Sequence, residues 1–189
     1  MSGFTVFFDT NVLVPGSVRD LLMQLATTGT FRGTCSVHVL EELRGVLSGS
    51  QGYSRVSIDH LIQRMGEYAL DFVVEGYEPT MRGLRLPDPG DEHVLAAAVH
   101  AQADVIVTYN LKHFPESVLE PLGLAAEHPD TFVTNLLDLY PEVVVGSVHV
   151  VLERLKSPVL SPAKLLEVYE KNQLVATAAT LRPFLGLVN

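Results

Sequence analysis

Phe4-Thr-Val-Phe-Phe8 is a short run of β-branched and aromatic residues without polar alternation. That is the pattern of a buried strand, and it ends at Asp9. Apolar positions then recur at helical spacing: Leu21, Leu22, Leu25 and Ala26 predict a helix that Gly29 stops. Residues 33–35 predict a brief second strand, and Ser36 is placed to cap a helix over residues 37–47. After a turn at 49–53, Ser57 is expected to cap a third helix to about Leu70, and residues 72–74 read as a strand. Residues 75–90 hold Pro79, Pro87, Pro89 and Gly90 and read as a loop. Residues 91–102 predict a helix, 104–108 a buried strand and 124–127 a last short strand, and Asp130 is expected to cap a helix to Leu139. Strands alternating with helices imply right-handed crossovers and a parallel sheet covered on both faces, an α/β domain over residues 1–140.

Beyond Pro141 the pattern changes. Residues 143–156, 162–171 and 173–181 predict three helices, broken at Ser157-Pro158 and Ser161-Pro162, and they add no strand. Residues 141–189 are therefore read as a C-terminal helical extension packed on the sheet domain. The total of 189 residues suits one domain with such an extension. With 47% hydrophobic and 19% charged residues a large core is possible and wholesale disorder is excluded.

Charge and cysteine content narrow the chemistry. A net charge of −9 excludes general electrostatic adhesion to nucleic acid, yet it suits a carboxylate cluster that holds metal ions, or a basic protein partner. Cys35 is the one cysteine, so no internal disulfide forms and no Cys/His cluster has zinc spacing. A reducing, cytoplasmic location is expected. Residues 1–8 lack the charged-then-apolar order of a signal peptide, and no apolar stretch approaches the ~20 residues needed to cross a bilayer, so no membrane association is expected.

In an open α/β sheet ligands bind beyond the carboxyl ends of the strands. Asp9 stands there after the first strand, where a carboxylate costs folding energy unless it is hydrogen-bonded or coordinates a cation; otherwise it is a helix cap. In the 37–47 helix, Val39, Leu40, Leu43, Val46 and Leu47 form the apolar stripe. At ~100° per residue Glu41 lies about 160° from its centre, facing water, and Glu42 about 100° from it, at the edge of the buried face. In Asp88-Pro-Gly-Asp91-Glu-His93, helical phase turns Asp91 toward the buried face of Val94, Leu95 and Ala98, with Glu92 and His93 pointing away. Dipole complementarity at a helix start is the alternative account of these acids. Thr108 and Asn110 follow the buried strand at 104–108, with Lys112 close by and His113 read as a surface histidine. Asp9, Glu42, Asp88 and Asp91 together make an all-oxygen donor set suited to Mg²⁺ or Mn²⁺ and to phosphodiester hydrolysis.

The ordered pieces Asp9-Thr-Asn-Val-Leu, Glu42-Leu43, Asp88-Pro-Gly-Asp91-Glu-His-Val-Leu-Ala96 and Ala103-Asp-Val-Ile-Val-Thr-Tyr-Asn110-Leu-Lys-His-Phe-Pro115 resemble the PIN-domain nuclease family, over about residues 4–139. The resemblance implies a Rossmann-like PIN fold and Mg²⁺- or Mn²⁺-dependent RNA cleavage, with Asp9, Glu42 and Asp91 as the catalytic and metal-binding acids, Asp88 as a further ligand, and Asn11, Thr108 and Asn110 in support. Many such chains resemble VapC-type toxins restrained by a small antitoxin protein. Where many members carry an acid, this chain has Asn110, which puts a full second metal in doubt. RNA contact then falls to Arg82, Arg85 and Lys112, or is shared across a homodimer. A housekeeping RNA-processing nuclease is the alternative role. A decayed, non-catalytic binding module is disfavoured by the three acids, and an aspartyl phosphatase by Asn11, which stands where such enzymes carry a second acid.

Overall fold

The computed structural model describes residues 4–49, 51–67, 71–155 and 159–186. A five-stranded parallel sheet organises them, in the order β3-β2-β1-β4-β5, with β1 Thr5–Phe8, β2 Arg32–Ser36, β3 Val73–Val74, β4 Val105–Val107 and β5 Ala125–Glu127. The wholly buried side chains of Val6, Phe7 and Phe8 explain why β1 takes the centre, pairing Val6 with Gly33 on one side and with Val105 on the other. Gly33 is fixed by packing, since a Cβ there would meet the Phe8 ring at 2.9 Å and the Ala26 Cβ at 3.1 Å.

The chain winds from β1 through β2 to β3 on one side and then crosses to β4 on the other. Strand order therefore reverses between β1 and β4, and a crevice opens beyond their carboxyl ends. Around the sheet lie α1 Thr10–Leu13, α2 Gly16–Ala26, α3 Val37–Gly49, α4 Arg55–Glu67, α5 Glu92–His100, α6 Glu116–Leu119 and α7 Pro129–Leu139. The Arg19 guanidinium, buried on α2, donates to the Leu13 carbonyl at 2.7 Å and so satisfies the end of α1.

Three further helices follow: α8 Pro141–Arg154, α9 Pro162–Lys171 and α10 Val175–Leu181. Helix α8 packs on α2 and α7, α9 on α2 and α10, and α10 on α7. Their apolar positions serve this packing. Val144, Val148, Val151, Leu165, Leu166 and Tyr169 are buried, and Leu152 and Leu155 lie partly buried against the same core. No helix among the described residues is long and apolar enough to cross a membrane.

Two expected caps are displaced. Helix α4 is preceded by Ser54, whose hydroxyl accepts from the Ser57 amide at 3.2 Å, so Ser57 is the partner and not the cap. Helix α7 is capped by His128, whose Nδ1 accepts from the Asp130 amide at 3.2 Å. The Asp130 carboxylate instead accepts from the amides of Ala176 and Thr177 at 2.9 and 2.8 Å, capping α10. The expected end of the third helix near Leu70 and the break at Ser157-Pro158 lie outside the described residues.

Candidate active site

Asp9 leaves the end of β1 at the switch point, only 3% exposed. It occupies the N-cap position of α1 but makes no side-chain capping hydrogen bond. Its Oδ2 accepts from the Thr108 hydroxyl at 2.7 Å and from Asn11 Nδ2 at 2.5 Å. Asn11 is held in turn by its Oδ1, which accepts from the Tyr109 amide at 3.0 Å, and Thr108 Oγ1 accepts from the Asn110 amide at 3.0 Å. Asn11 and Thr108 thus buttress Asp9, while the Asn110 side chain makes no hydrogen bond among the described residues. Burial above all, and then the charges of Asp91 and Glu42, push the Asp9 carboxyl up to about 6, against the opposing hydrogen bonds of Thr108 and the Thr10 amide.

Glu42 approaches from α3. Ser36, whose hydroxyl accepts from the Val39 amide at 3.2 Å, starts that helix in the phase that turns Glu42 half inward and leaves Glu41 exposed. The Thr10 hydroxyl donates to Glu42 Oε2, and His93 Nε2 lies 3.1 Å from Oε1. Burial pushes the Glu42 carboxyl upward. The hydrogen bonds of His93 and Thr10 and the nearby His93 and His38 imidazoles outweigh it, holding Glu42 below its ordinary value.

Asp88 and Asp91 come from the turn ahead of α5. Asp88 Oδ1 accepts from the Gly90 amide at 2.9 Å, capping a 3-10 turn over Pro89–Asp91. Asp91 is thereby released from capping and meets His113 Nδ1 at 2.7 Å, with Asp88 Oδ2 3.7 Å from the same nitrogen. His113 is therefore part of this acidic group and not a free surface histidine. His93 is likewise corrected. It is 4% exposed and turned toward Glu42, because α5 is buried on nearly every side, with His93 to Ala98 buried in succession, and has no solvent face for His93 to take. Val46, placed in the apolar stripe of α3, is 37% exposed.

Arg82, Arg85 and Lys112 are exposed. Arg85 stands 3.8 Å from Glu92 with its side chain 76% exposed, and Lys112 lies in the 3-10 turn that carries His113. Sequence reasoning missed Thr10, His93 and His113. Thr10 follows Asp9 directly, but its hydroxyl acts on a residue 32 positions away, which only the crossing of α1 and α3 reveals.

The arrangement fits a hard cation. Asp9 is buried, the charges of Asp91 and Glu42 act against its own, and the donors are oxygens.

Residues 5–112 match the family model described as the PIN domain, and residues 129–183 match the one described as the VapC50 C-terminal domain. Over 95 residues the chain is 42% identical to the Mycobacterium tuberculosis protein named "Putative ribonuclease VapC50". That match covers 49% of this chain and 56% of the relative, so the chain spans about half the length of the curated protein it matches. No solved structure matches the chain. The first match takes in more than half of the 189 residues and coincides with the sheet and the acidic crevice, and the chain belongs to the PIN-domain family.

Proposed function

We propose that this chain is a metal-dependent endoribonuclease that hydrolyses RNA phosphodiester bonds, the toxin of a toxin–antitoxin pair. The observation that carries the reading is the buried Asp9 carboxylate at the β1–β4 switch point, whose charge is opposed by Asp91 and Glu42. Such crowding is costly without a cation and useful with one. Mg²⁺ or Mn²⁺ held there by Asp9 and Asp91, with Glu42 and Asp88 in support, supplies Lewis-acid polarisation of the phosphodiester and of the attacking water. Asn11 and Thr108 orient Asp9, and Thr10 and His93 orient Glu42. His113 steadies Asp91. Exposed Arg82, Arg85 and Lys112 supply a local cationic grip for the RNA backbone in a molecule that otherwise repels it.

The test is cleavage of total RNA by purified protein in Mg²⁺ or Mn²⁺, compared with chelator and with Asp9→Asn. Metal-dependent fragments that vanish in the variant are the expected result. The toxin role is tested separately: induction of the chain alone should arrest growth, and expression of its native locus should co-purify a small protein bearing Arg or Lys side chains toward the acidic crevice. A harmless chain that still cleaves RNA, without such a partner, would replace the toxin role with RNA processing.

A further inference from the structure

Glu42 stands between two kinds of donor. On one side the hydroxyl of Thr10, the residue after Asp9, donates to it, and on the other stand the imidazoles of His38 and His93. His38 and Glu42 are four residues apart on α3 and so share a face. His93, from the first turn of α5, comes against both. The His38 and His93 rings lie 4.1 Å apart between centroids at 27°, and one donor atom from each of His38, Glu42 and His93 lies within 4.8 Å of the other two. His93 is 4% exposed and its Nδ1 has no hydrogen-bond partner among the described residues, so Glu42 is its polar anchor there.

Two imidazoles and one carboxylate form a donor set for a borderline transition-metal ion such as Zn²⁺, and a poor one for Mg²⁺. Tetrahedral bonds of this kind keep neighbouring donors about 3.3 Å apart. The His93–Glu42 pair already stands at 3.1 Å, and the exposed His38 ring has room to turn toward them. Three protein donors leave one position for water.

We propose that His38, Glu42 and His93 form a binding site for a Zn²⁺-class ion, and that its occupation withdraws Glu42 from the Asp9–Glu42–Asp91 cluster. The first half stands on donor geometry alone; the second rests on the nuclease reading given above. The site makes Glu42 a shared ligand, so a transition metal restrains the chemistry that a hard cation supports.

Binding is read without any nuclease assay. Tag-free full chain is titrated with Co²⁺, a spectroscopic substitute for Zn²⁺, and its visible ligand-field absorption is followed. One equivalent is expected to develop the band, Zn²⁺ to displace it and millimolar Mg²⁺ not to. His38→Ala, an exposed change on a helix surface, should weaken Co²⁺ binding about tenfold or more. Absence of the band, or a band indifferent to His38→Ala, overturns the site. In the second arm, Zn²⁺ should inhibit Mg²⁺-supported RNA cleavage by the wild type, with the inhibitory concentration raised about tenfold or more in His38→Ala. Equal inhibition of both proteins overturns the coupling. Intact Co²⁺ binding in a protein that cleaves no RNA overturns the coupling together with the nuclease reading and leaves the ion site standing.

Discussion

Asp9 receives hydrogen bonds that favour its charge, in surroundings that oppose it, and the opposition wins. Its folded pKa of about 6 lies above the ordinary 3.8, so the metal-free folded chain binds the Asp9 proton more tightly than the unfolded chain does. The resulting penalty is absent below about 3.8, grows as pH rises and is complete above about 6, where it reaches roughly 3 kcal/mol. In chelator, Asp9→Asn should therefore be more stable than the wild type at pH 7.5, with the gap closing toward pH 4. Denaturant unfolding of both proteins across that range checks this, and a gap independent of pH would refute it. A second expectation separates two neighbours. Glu41→Gln should leave cleavage within about twofold, whereas Glu42→Gln, which disturbs the Thr10 and His93 contacts, should lower it about ten- to a hundredfold. Steady-state kinetics on a defined RNA decides between them. The inward turn of Glu42 was legible because α3 is one regular helix with a clear apolar stripe. His93 was not, because a 100° periodicity presumes one buried face, and α5 is buried from His93 through Ala98 without a break.

At the scale of elements, hydrophobic periodicity located the strands and most helices because each has a buried face. Capping residues were less legible. Ser54 and Ser57 both suit the start of α4, and only the backbone direction shows which accepts. Asp130 looked like the cap of its own helix because serving α10 requires a contact 46 residues away. Gly33 was read simply as part of a strand, although its missing side chain is what lets Phe8 and Ala26 meet over β2. Gly33→Ala should destabilise the fold by about 1–3 kcal/mol, since the Phe8 ring must shift within a close-packed layer. Thermal unfolding measures this, and the shortfall should be partly recovered by Phe8→Leu in the same chain.

Across the whole molecule, the proposed function sets an acidic chain against an acidic substrate. Arg82, Arg85 and Lys112 are the exposed cations proposed to overcome this, so replacing all three by Gln should raise KM several-fold with little change in kcat and flatten the salt dependence of RNA binding. Unchanged KM would place the RNA elsewhere. The apolar faces of the C-terminal helices were legible as helices, but their destination was not. An amphipathic stripe reads alike whether it packs on its own domain or on a partner, and here α8 and α9 turn theirs onto α2. One latch between the two regions, beside the Asp130 cap of α10, is the Tyr109 hydroxyl, which donates to the Asn172 carbonyl at 2.8 Å, just beyond the residue that holds Asp9. The order of β1 and β4 also governs timing. Asp9 leaves the ribosome 99 residues ahead of Thr108, which orients it. At about 5–20 residues per second the nascent chain spends roughly 5–20 s with half of its crevice still unmade. The Tyr109–Asn172 bond waits for 63 residues more, so the sheet with its crevice is synthesised well before the C-terminal helices can pack on it.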